Sequence, residues 1–195
     1  MEGSGRAAVL PGVTTIATVC RFKPVHLGHA AMLRELARRA DRLVVGIGSP
    51  NRYDARNPFT AAETADMLRL VLPPGDVTLL EVPDLGHGPR WRAQAQRLLG
   101  AVDLFVTANA YVASLLAGVY PLAHPRDLVA TREHVPIDGA RVRRAMALGH
   151  DWAALVPGAV ADYLRRSELP ERFRREFGLA TLAEALAPAP ASAPR

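Results

Sequence analysis

The stretch "TTIATVCRFKPVHLGHAAMLRELARRADRLVVGIGS", residues 14–49, contains one complete strand–helix–strand unit. Residues 14–22 are rich in β-branched and apolar side chains, which favours a strand. Over residues 27–40 the apolar positions recur at helical spacing, with arginines on the opposite face. Residues 42–49 form a continuous apolar run ending in glycine and serine, which is typical of a strand buried on both faces of a parallel sheet.

The same alternation continues along the chain. Further strands are predicted at 77–84 and 102–109, and helices at 60–72, 90–100 and 110–119. Thr60 with Glu63 three residues later is a capping box, which marks the start of a helix. Four strand–helix units in order predict an α/β fold with a doubly wound parallel sheet, followed by C-terminal helices. In such sheets ligands bind beyond the carboxyl ends of the strands, beside the first strand.

The length of 195 residues and the 49% apolar content predict a single main domain. We expect an N-terminal extension at 1–13, the main domain at 14–167 and a C-terminal helical segment at 168–187. Residues 188–195 are rich in proline and alanine, which predicts a disordered tail.

Charge and cysteine content narrow the class of protein. The formal net charge of +5 indicates an anionic partner, and Lys23 is the only lysine among 24 basic residues. The basic residues are scattered and form no stripe with interleaved aromatics, so we expect no nucleic-acid partner. The sequence has no long apolar run and no signal-peptide pattern, which predicts a cytoplasmic protein without membrane contact. Cys20 is the only cysteine, which excludes an internal disulfide and a cysteine-rich zinc site.

The segment "RFKPVHLGHA", residues 21–30, combines imidazole and cationic groups where the first strand meets the first helix. Backbone N–H groups at a helix N-terminus bind anions, and Gly28 would let a phosphate approach the main chain closely. His26 and His29 would lie on the first turn and donate to oxygens of one phosphate chain. The segment therefore predicts a site for a phosphorylated ligand.

Other interpretations of these residues remain open on sequence grounds. The two histidines could belong to a metal site with a third ligand from His87, His124, His134 or His150, or from a carboxylate, although no spacing points to one. They could also be ordinary surface histidines. Cys20 is interpreted as a small buried residue at a strand end and not as a nucleophile.

A second basic cluster occurs late in the chain, in "DGARVRRAM", residues 138–146. Asp138 is a plausible N-cap of a helix, and Arg141 and Arg144 would share a face that Arg143 does not. Spacing alone slightly favours a solvated arginine face over a binding role.

Taken together, these segments resemble a known family. "RFKPVHLGH" resembles the Gly-Arg-Phe-x-Pro-x-His-x-Gly-His signature of the nucleotidyltransferase superfamily. "GIGSPNRYDARNPFTAAE", "VPDLGHGPRW", "TAN", "DGARVRRAM" and "LVPGAVADYL" are similar in order and spacing to the archaeal-type nicotinamide mononucleotide adenylyltransferases. The likeness spans about residues 15–166 and implies a Rossmann-like nucleotidyltransferase domain.

The resemblance implies transfer of AMP from ATP to nicotinamide mononucleotide, with Mg²⁺ bound with the ATP. His26, His29 and Arg143 match the catalytic residues of the family. The ATP site implied by the resemblance consists of Arg21, Phe22, Lys23, His26, Gly28, His29, Asp138 and Arg143. The implied mononucleotide site consists of Arg56, Asp84, Trp91 and Asn109. Family likeness also suggests a homo-oligomer.

Several positions depart from the family pattern. The usual glycine and glutamine of the first block are Cys20 and Lys23, and a later arginine is Thr64. In the late block Asp138 and Ala140 replace a serine and a threonine, which places a carboxylate near the expected ATP phosphates. We expect Asp138 to cap its own helix or to touch Mg²⁺, and Lys23 to supply part of the lost stabilisation. These changes keep two alternatives open: another phosphorylated acceptor or CTP, and a nucleotide-binding module that has lost catalysis.

Overall fold

The computed structural model describes residues 14–129 and 136–186, in which strands and helices alternate. The strands are β1 (Thr15–Cys20), β2 (Arg42–Gly48), β3 (Asp76–Val82), β4 (Leu104–Val106) and β5 (Leu122–Ala123). The helices are α1 (Leu27–Arg39), α2 (Ala61–Arg69), α3 (Gly88–Leu99), α4 (Ala110–Leu116), α5 (Pro125–Leu128), α6 (Gly139–Leu148), α7 (Gly158–Arg166) and α8 (Leu169–Leu186). A 3₁₀ turn, Ala153–Leu155, precedes α7.

These five strands form one sheet in the order β3-β2-β1-β4-β5, and every neighbouring pair is parallel. The chain winds outward from β1 to β3 on one side and from β4 to β5 on the other. This arrangement confirms the predicted doubly wound α/β fold. Its switch point lies between β1 and β4, where a crevice opens beyond the carboxyl ends of the strands.

The core lies on both faces of β1. Ile16 packs in one cluster with α1, α2, α6, α7 and α8, whereas Ala17 and Val19 pack in a second cluster with α3 and α4. Successive side chains of a strand point to opposite faces, so the two clusters cover the two faces of the sheet. The buried Thr18 hydroxyl donates to the Val106 carbonyl at 2.9 Å, which joins β1 to β4 and satisfies the polar side chain in the middle of the strand.

Local signals located most elements but not their lengths. The capping box of Thr60 and Glu63 is present as predicted. β4 covers only three residues of the predicted 102–109, and the two-residue β5 was not predicted. A strand of two residues has no period of its own, so only its pairing with β4 defines it. Helix α7 starts at Gly158, directly after Pro157 at its N-cap.

The C-terminal helix α8 is part of the main core. Leu169 and Phe173 are 4% and 1% exposed and belong to the same cluster as Ile16, which argues that α8 folds with the strands and not apart from them. The N-terminal extension at 1–13 and the tail at 188–195 lie outside the described residues. Within the described ranges, no helix combines the length and apolar character that crossing a bilayer requires.

Candidate active site

A cavity of about 800 Å³ opens at the switch point of the sheet. The β1–α1 turn contributes Cys20, His26, Gly28 and His29, and the end of β4 contributes Thr107 and Ala108. The opposite wall comes from the start of α5 and from residues 136–138 before α6. A volume of this size suits a nucleotide-sized ligand. The predicted histidine segment therefore lies where the fold predicts a binding site.

His26 and His29 form a stacked pair at the start of α1. Their ring centroids are 3.6 Å apart with an interplanar angle of 24°, and Phe22 packs edge-on against His29 at 4.8 Å. His26 is the N-cap, and its Nδ1 accepts from the His29 backbone N–H at 3.3 Å. Because Nδ1 is an acceptor, a neutral His26 carries its proton on Nε2, at the other side of the ring. The cap therefore fixes the tautomer that can donate to a ligand.

Burial keeps both imidazoles neutral in the free protein. Desolvation lowers the pKa of His26 to about 4; the charge of Asp138 opposes this shift and that of Arg143 adds to it. Desolvation, followed by the neighbouring His26, holds the pKa of His29 well below its usual value. The Nδ1 atom of His29 is buried and has no hydrogen-bond partner within the described ranges. An anionic ligand would supply the negative charge that this pair lacks.

Arg143 lies on α6 beside the histidine segment, although it does not line the cavity wall. It is 9% exposed, and its guanidinium donates to the Lys23 carbonyl at 2.8 Å. Burial, then the charge of Arg21, lowers the pKa of Arg143 to about 10, so the side chain stays charged at neutral pH. A Cβ on Gly139 would lie 3.0 Å from the Arg143 guanidinium and 3.3 Å from the Lys23 carbonyl. Gly139 therefore permits the close approach of Arg143 to the β1–α1 turn.

Asp138 caps α6, as the sequence predicts. Its Oδ1 accepts from the Arg141 backbone N–H at 2.7 Å, and the residue also lines the cavity. A carboxylate at a helix N-terminus interacts favourably with the helix dipole, which offsets its charge. The Asp138 carboxylate is thus held by the Arg141 backbone N–H and also faces the cavity in which a ligand would bind.

The remaining predicted ATP residues, Arg21, Phe22 and Lys23, lie near the histidine pair but do not line the cavity. Phe22 is buried in the core and has a positive φ of 54°, so its side chain contributes packing. Arg21 is exposed, and its charge lies close enough to Arg143 to affect the pKa of that residue. The Lys23 ammonium donates to the Ser49 carbonyl at 2.9 Å, on the β2 side of the turn. Contact of Arg21 or Lys23 with ATP stays a prediction.

The predicted mononucleotide residues lie on exposed loops and helix ends, and none of them lines the cavity. Arg56 follows β2 and pairs with Glu184 of α8 at 3.2 Å. Asp84 follows β3 and pairs with Arg52 at 3.3 Å. Asn109 caps α4 by accepting from the backbone N–H groups of Tyr111 and Val112.

Trp91 is the fourth predicted mononucleotide residue. It is half-buried on α3 and packs against the second core cluster, together with Leu80 and Leu98. This contact explains the position of the indole without a ligand. Its role in binding, like those of the loop residues, stays a prediction.

The alternative of a resident metal site gains no support from the residues described. No group of three or more histidine, cysteine, aspartate or glutamate residues is arranged to hold a metal ion in 14–129 or 136–186. The Cys20 thiol lines the cavity, but burial raises its pKa to about 11, which leaves it protonated and a poor nucleophile.

Two kinds of site residue were not predicted. Gly139 is adjacent to a predicted residue, but its importance depends on the contact between Arg143 and Lys23, which are 120 positions apart, and no local pattern contains that contact. Thr107 at the end of β4 and Arg126 on α5 line the cavity, and so does His124, which the sequence suggested only as a possible metal ligand. A local signal for His124 exists, because this histidine ends an apolar stretch and precedes Pro125. The strand before it, β5, has only two residues and therefore does not show as a strand in the sequence.

A Rossmann-like sheet with a His-x-Gly-His pair at the first helix N-terminus defines the chain as a nucleotidyltransferase. Residues 17–82 match the family model described as cytidylyltransferase-like. The nicotinamide-nucleotide adenylyltransferase of Halorubrum lacusprofundi is 36% identical over 163 residues, which cover 80% of this chain and 88% of that protein. That of Halobacterium salinarum is 35% identical over 162 residues, covering 79% and 87%. The chain belongs to the archaeal-type nicotinamide-nucleotide adenylyltransferase family.

Solved structures agree with the fold. A bifunctional NMN adenylyltransferase/ADP ribose pyrophosphatase from Francisella tularensis, complexed with AMP and a Mn ion, superposes with a TM-score of 0.65 at 14% identity, covering 91% of this chain and 57% of that chain. A nicotinic acid mononucleotide adenylyltransferase from Plasmodium falciparum has a TM-score of 0.55 at 10% identity, covering 82% and 98%.

Proposed function

We infer that this protein transfers the AMP group of ATP to nicotinamide mononucleotide, forming NAD and pyrophosphate. The observation that carries the inference is the stacked pair of His26 and His29, capped at the start of α1, at the wall of a nucleotide-sized cavity. Relatives that are at least 35% identical over most of the chain carry the same activity in their names.

On the ATP side, catalysis is proposed to rest on positioning and on charge neutralisation. The 5′-phosphate of the mononucleotide attacks the α-phosphorus in line, and the O–P bond to pyrophosphate breaks, without a covalent enzyme intermediate. Nε2–H of His26, the His29 ring and the backbone N–H groups at the start of α1 donate to phosphate oxygens. Arg143 is charged at neutral pH and supplies a fixed positive charge beside the departing pyrophosphate. No general base is required, because the attacking phosphate is already ionised.

On the acceptor side, Arg56 is proposed to bind the mononucleotide phosphate. Asp84 would accept from the carboxamide, and the Trp91 indole would stack on the cationic pyridinium ring. Asn109 would lie near the nucleotide. This assignment follows from the family resemblance, and the exposure of the loops that carry these residues leaves room for a ligand to reach them.

A divalent metal is proposed to enter with the nucleotide. The Francisella tularensis protein is complexed with AMP and a Mn ion, and Mg²⁺ is the ion proposed for this chain. Among the described residues that line the cavity, Asp138 is the one that carries a carboxylate. The residues therefore fit an ion held mainly by phosphate oxygens, with Asp138 as the available protein ligand. When bound, such an ion neutralises charge on the triphosphate.

The test is a panel of substrates with pyrophosphate release and NAD formation as readouts. We expect turnover with ATP and nicotinamide mononucleotide in the presence of Mg²⁺, and little with CTP. Faster turnover with another phosphorylated acceptor would reassign the substrate within the same reaction class. Calorimetric titration of each substrate, with and without Mg²⁺, separates weak binding from slow chemistry.

A second candidate is a nucleotide-binding module with impaired catalysis, which the Asp138 carboxylate at the cavity wall favours. It predicts that ATP or NAD raises the melting temperature while no pyrophosphate forms. Asp138→Ser decides between the two: a rise in turnover of about tenfold or more would favour an impaired site. The cytoplasmic location, the lack of nucleic-acid and membrane partners and the homo-oligomer remain predictions from the sequence.

A further inference from the structure

Lys23 contacts both halves of the proposed site. The residue is 2% exposed, and its ammonium donates to the Ser49 carbonyl at 2.9 Å. Its own backbone carbonyl accepts from the Arg143 guanidinium at 2.8 Å. One residue therefore connects α6, which carries Arg143, with the loop that follows β2.

That loop, residues 49–57, carries Arg56, and we name it the acceptor loop. It begins at Ser49, which has a left-handed φ of 54° and whose carbonyl accepts from the Arg52 backbone N–H at 3.2 Å. Further on, the Asp54 carboxylate accepts from the backbone N–H groups of Arg56 and Asn57 and from the Asn57 side chain, each at 2.9 Å. The Ser49 turn and the Asp54 carboxylate therefore determine where the Arg56 backbone lies.

Charged groups of the described residues face the Lys23 ammonium from three elements. Asp54 of the acceptor loop and Glu81 of β3 are negative, and Arg21 of the β1–α1 turn is positive. Burial is the largest influence and lowers the pKa of Lys23 to about 8, while Asp54 acts in the opposite direction. The charged form is thus retained at neutral pH against a desolvation cost and is attracted to the acceptor loop through Asp54.

Direct contact with the ATP phosphates is the alternative role for this side chain. The cavity wall contains His26, His29 and Asp138 but not Lys23. The ammonium lies on the Ser49 carbonyl, at the end of β2, and is buried there. Its position therefore favours a structural contact within the protein and not a contact with the nucleotide.

We propose that Lys23 is a positioning residue, which holds the acceptor loop and hence Arg56 at a defined distance from Arg143. The inference rests on the proposed function, in which Arg143 faces ATP and Arg56 faces the mononucleotide phosphate. Transfer requires the two substrates in line, so an error in this distance lowers the fraction of productive complexes.

The first test compares Lys23→Met, Lys23→Gln and the control Arg166→Gln, which removes one positive charge from an exposed position on α7. For Lys23→Met we expect KM for the mononucleotide to rise roughly fivefold to tenfold, with KM for ATP changed less than about twofold. Lys23→Gln keeps a donor for the Ser49 carbonyl, so at neutral pH its KM for the mononucleotide should be close to that of the unmodified protein. The control should match the unmodified protein in both constants.

The second test is the pH profile between about pH 7 and about pH 9.5. As Lys23 loses its proton near pH 8, its attraction to Asp54 is lost, so KM for the mononucleotide should rise with pH in the unmodified protein. In Lys23→Met and Lys23→Gln the same constant should be flat over this range. A side chain with a merely structural role would not move the pH profile of one substrate alone.

Equal changes in both KM values for Lys23→Met, or a flat profile in the unmodified protein, would overturn the inference. If the unmodified protein forms no pyrophosphate with any acceptor, the proposed function fails first. Amide hydrogen exchange of residues 49–57 then still tests Lys23, because exchange should be faster in Lys23→Met than in the unmodified protein. Unchanged exchange there would reject the positioning role.

Discussion

The two halves of the site are built in opposite ways. On the proposed ATP side, His26 and Arg143 are 6% and 9% exposed, and each is held by a hydrogen bond to or from the backbone. On the acceptor side, the side chains of Arg56 and Asp84 are 63% and 40% exposed and are paired with other surface side chains. In the proposed ATP half the side chains are packed in place without a ligand, whereas Arg56 and Asp84 would have to leave their present partners in order to bind one.

This difference has an energetic consequence. Burial lowers the pKa of His26 to about 4 and that of Arg143 to about 10, which disfavours the charged form of both side chains. A ligand with negative charge offsets that cost, so buried groups contribute strongly when they meet phosphate. Exposed ion pairs are worth about 0–1 kcal/mol, so the acceptor side should respond only weakly to single changes.

The largest effect is expected for the histidine pair. His29→Ala removes a preorganised donor and should lower kcat by about 10²–10³-fold while the fold persists. His150→Ala is the matched control, because His150 is exposed and outside the cavity wall. Steady-state rates with circular dichroism of both variants check this. Near-normal turnover of His29→Ala would remove the pair from catalysis.

The next effect concerns the approach of Arg143 to the β1–α1 turn. In Gly139→Ala the added methyl group would crowd the guanidinium at 3.0 Å and the Lys23 carbonyl at 3.3 Å. We expect kcat to fall by roughly tenfold or more, because a small displacement of a positioned charge is costly in transfer reactions. Gly158→Ala is the control, since a Cβ there meets nothing within 4 Å. Equal turnover in the two variants would show that the contact of Arg143 with the turn does not matter.

For Lys23 we expect a substitution that makes the folded protein more stable. Replacing a buried ammonium by an apolar side chain should raise the free energy of unfolding at pH 7 by about 1–3 kcal/mol. The Ser49 carbonyl keeps its hydrogen bond from the Arg52 backbone N–H, so the Lys23→Met variant leaves no unpaired acceptor there. Urea unfolding of both proteins at several pH values measures the difference.

The pH dependence of that difference follows from the pKa of Lys23. The folded pKa is about 8 and the usual value is 10.5, so between them the unfolded chain binds more protons. The stability of the unmodified protein should therefore rise with pH through this window, and the advantage of Lys23→Met should shrink. An advantage that stays constant from about pH 7 to about pH 10 would contradict a charged, buried Lys23.

The smallest effect is expected on the acceptor side. Arg56 Nε donates to both carboxylate oxygens of Glu184, at 3.3 and 3.2 Å, and a mononucleotide phosphate would have to displace them. Glu184→Gln should therefore lower KM for the mononucleotide by about twofold to threefold. Glu171→Gln is the control, because Glu171 lies on the same helix, is 49% exposed and pairs with Arg174 instead. A KM that rises in Glu184→Gln would exclude this competition.

The sequence predicts a structural feature well when the contact that forms it joins residues close together in the chain. The α1 start, the Thr60 capping box and the Asp138 cap were predicted because each depends on residues three positions apart. The length of β4 and the existence of β5 were not, because pairing across the sheet decides them.

The same holds within the site. The proposed phosphate-binding turn of His26, Gly28 and His29 is contained in ten consecutive residues, and so is its place at the end of a strand. Three other features cannot be seen in any short segment. They are the contact of the Lys23 ammonium with Ser49, the pairing of Arg56 with Glu184, and the position of Thr107 and His124 at the cavity. These features join segments that lie far apart in the chain.

The sequence alone determined the α/β alternation, the position of the histidine turn at the start of α1 and the family, because hydrophobic period, helix caps and a compact motif are local properties of the chain. The tertiary structure alone decided which charges are buried, which partners they contact and what their pKa values become. The physical reason is that desolvation and hydrogen bonding act between neighbours in space. Lys23 shows the difference: its position in the motif suggested a phosphate ligand, and its fold-dependent surroundings place it between Arg143 and the acceptor loop.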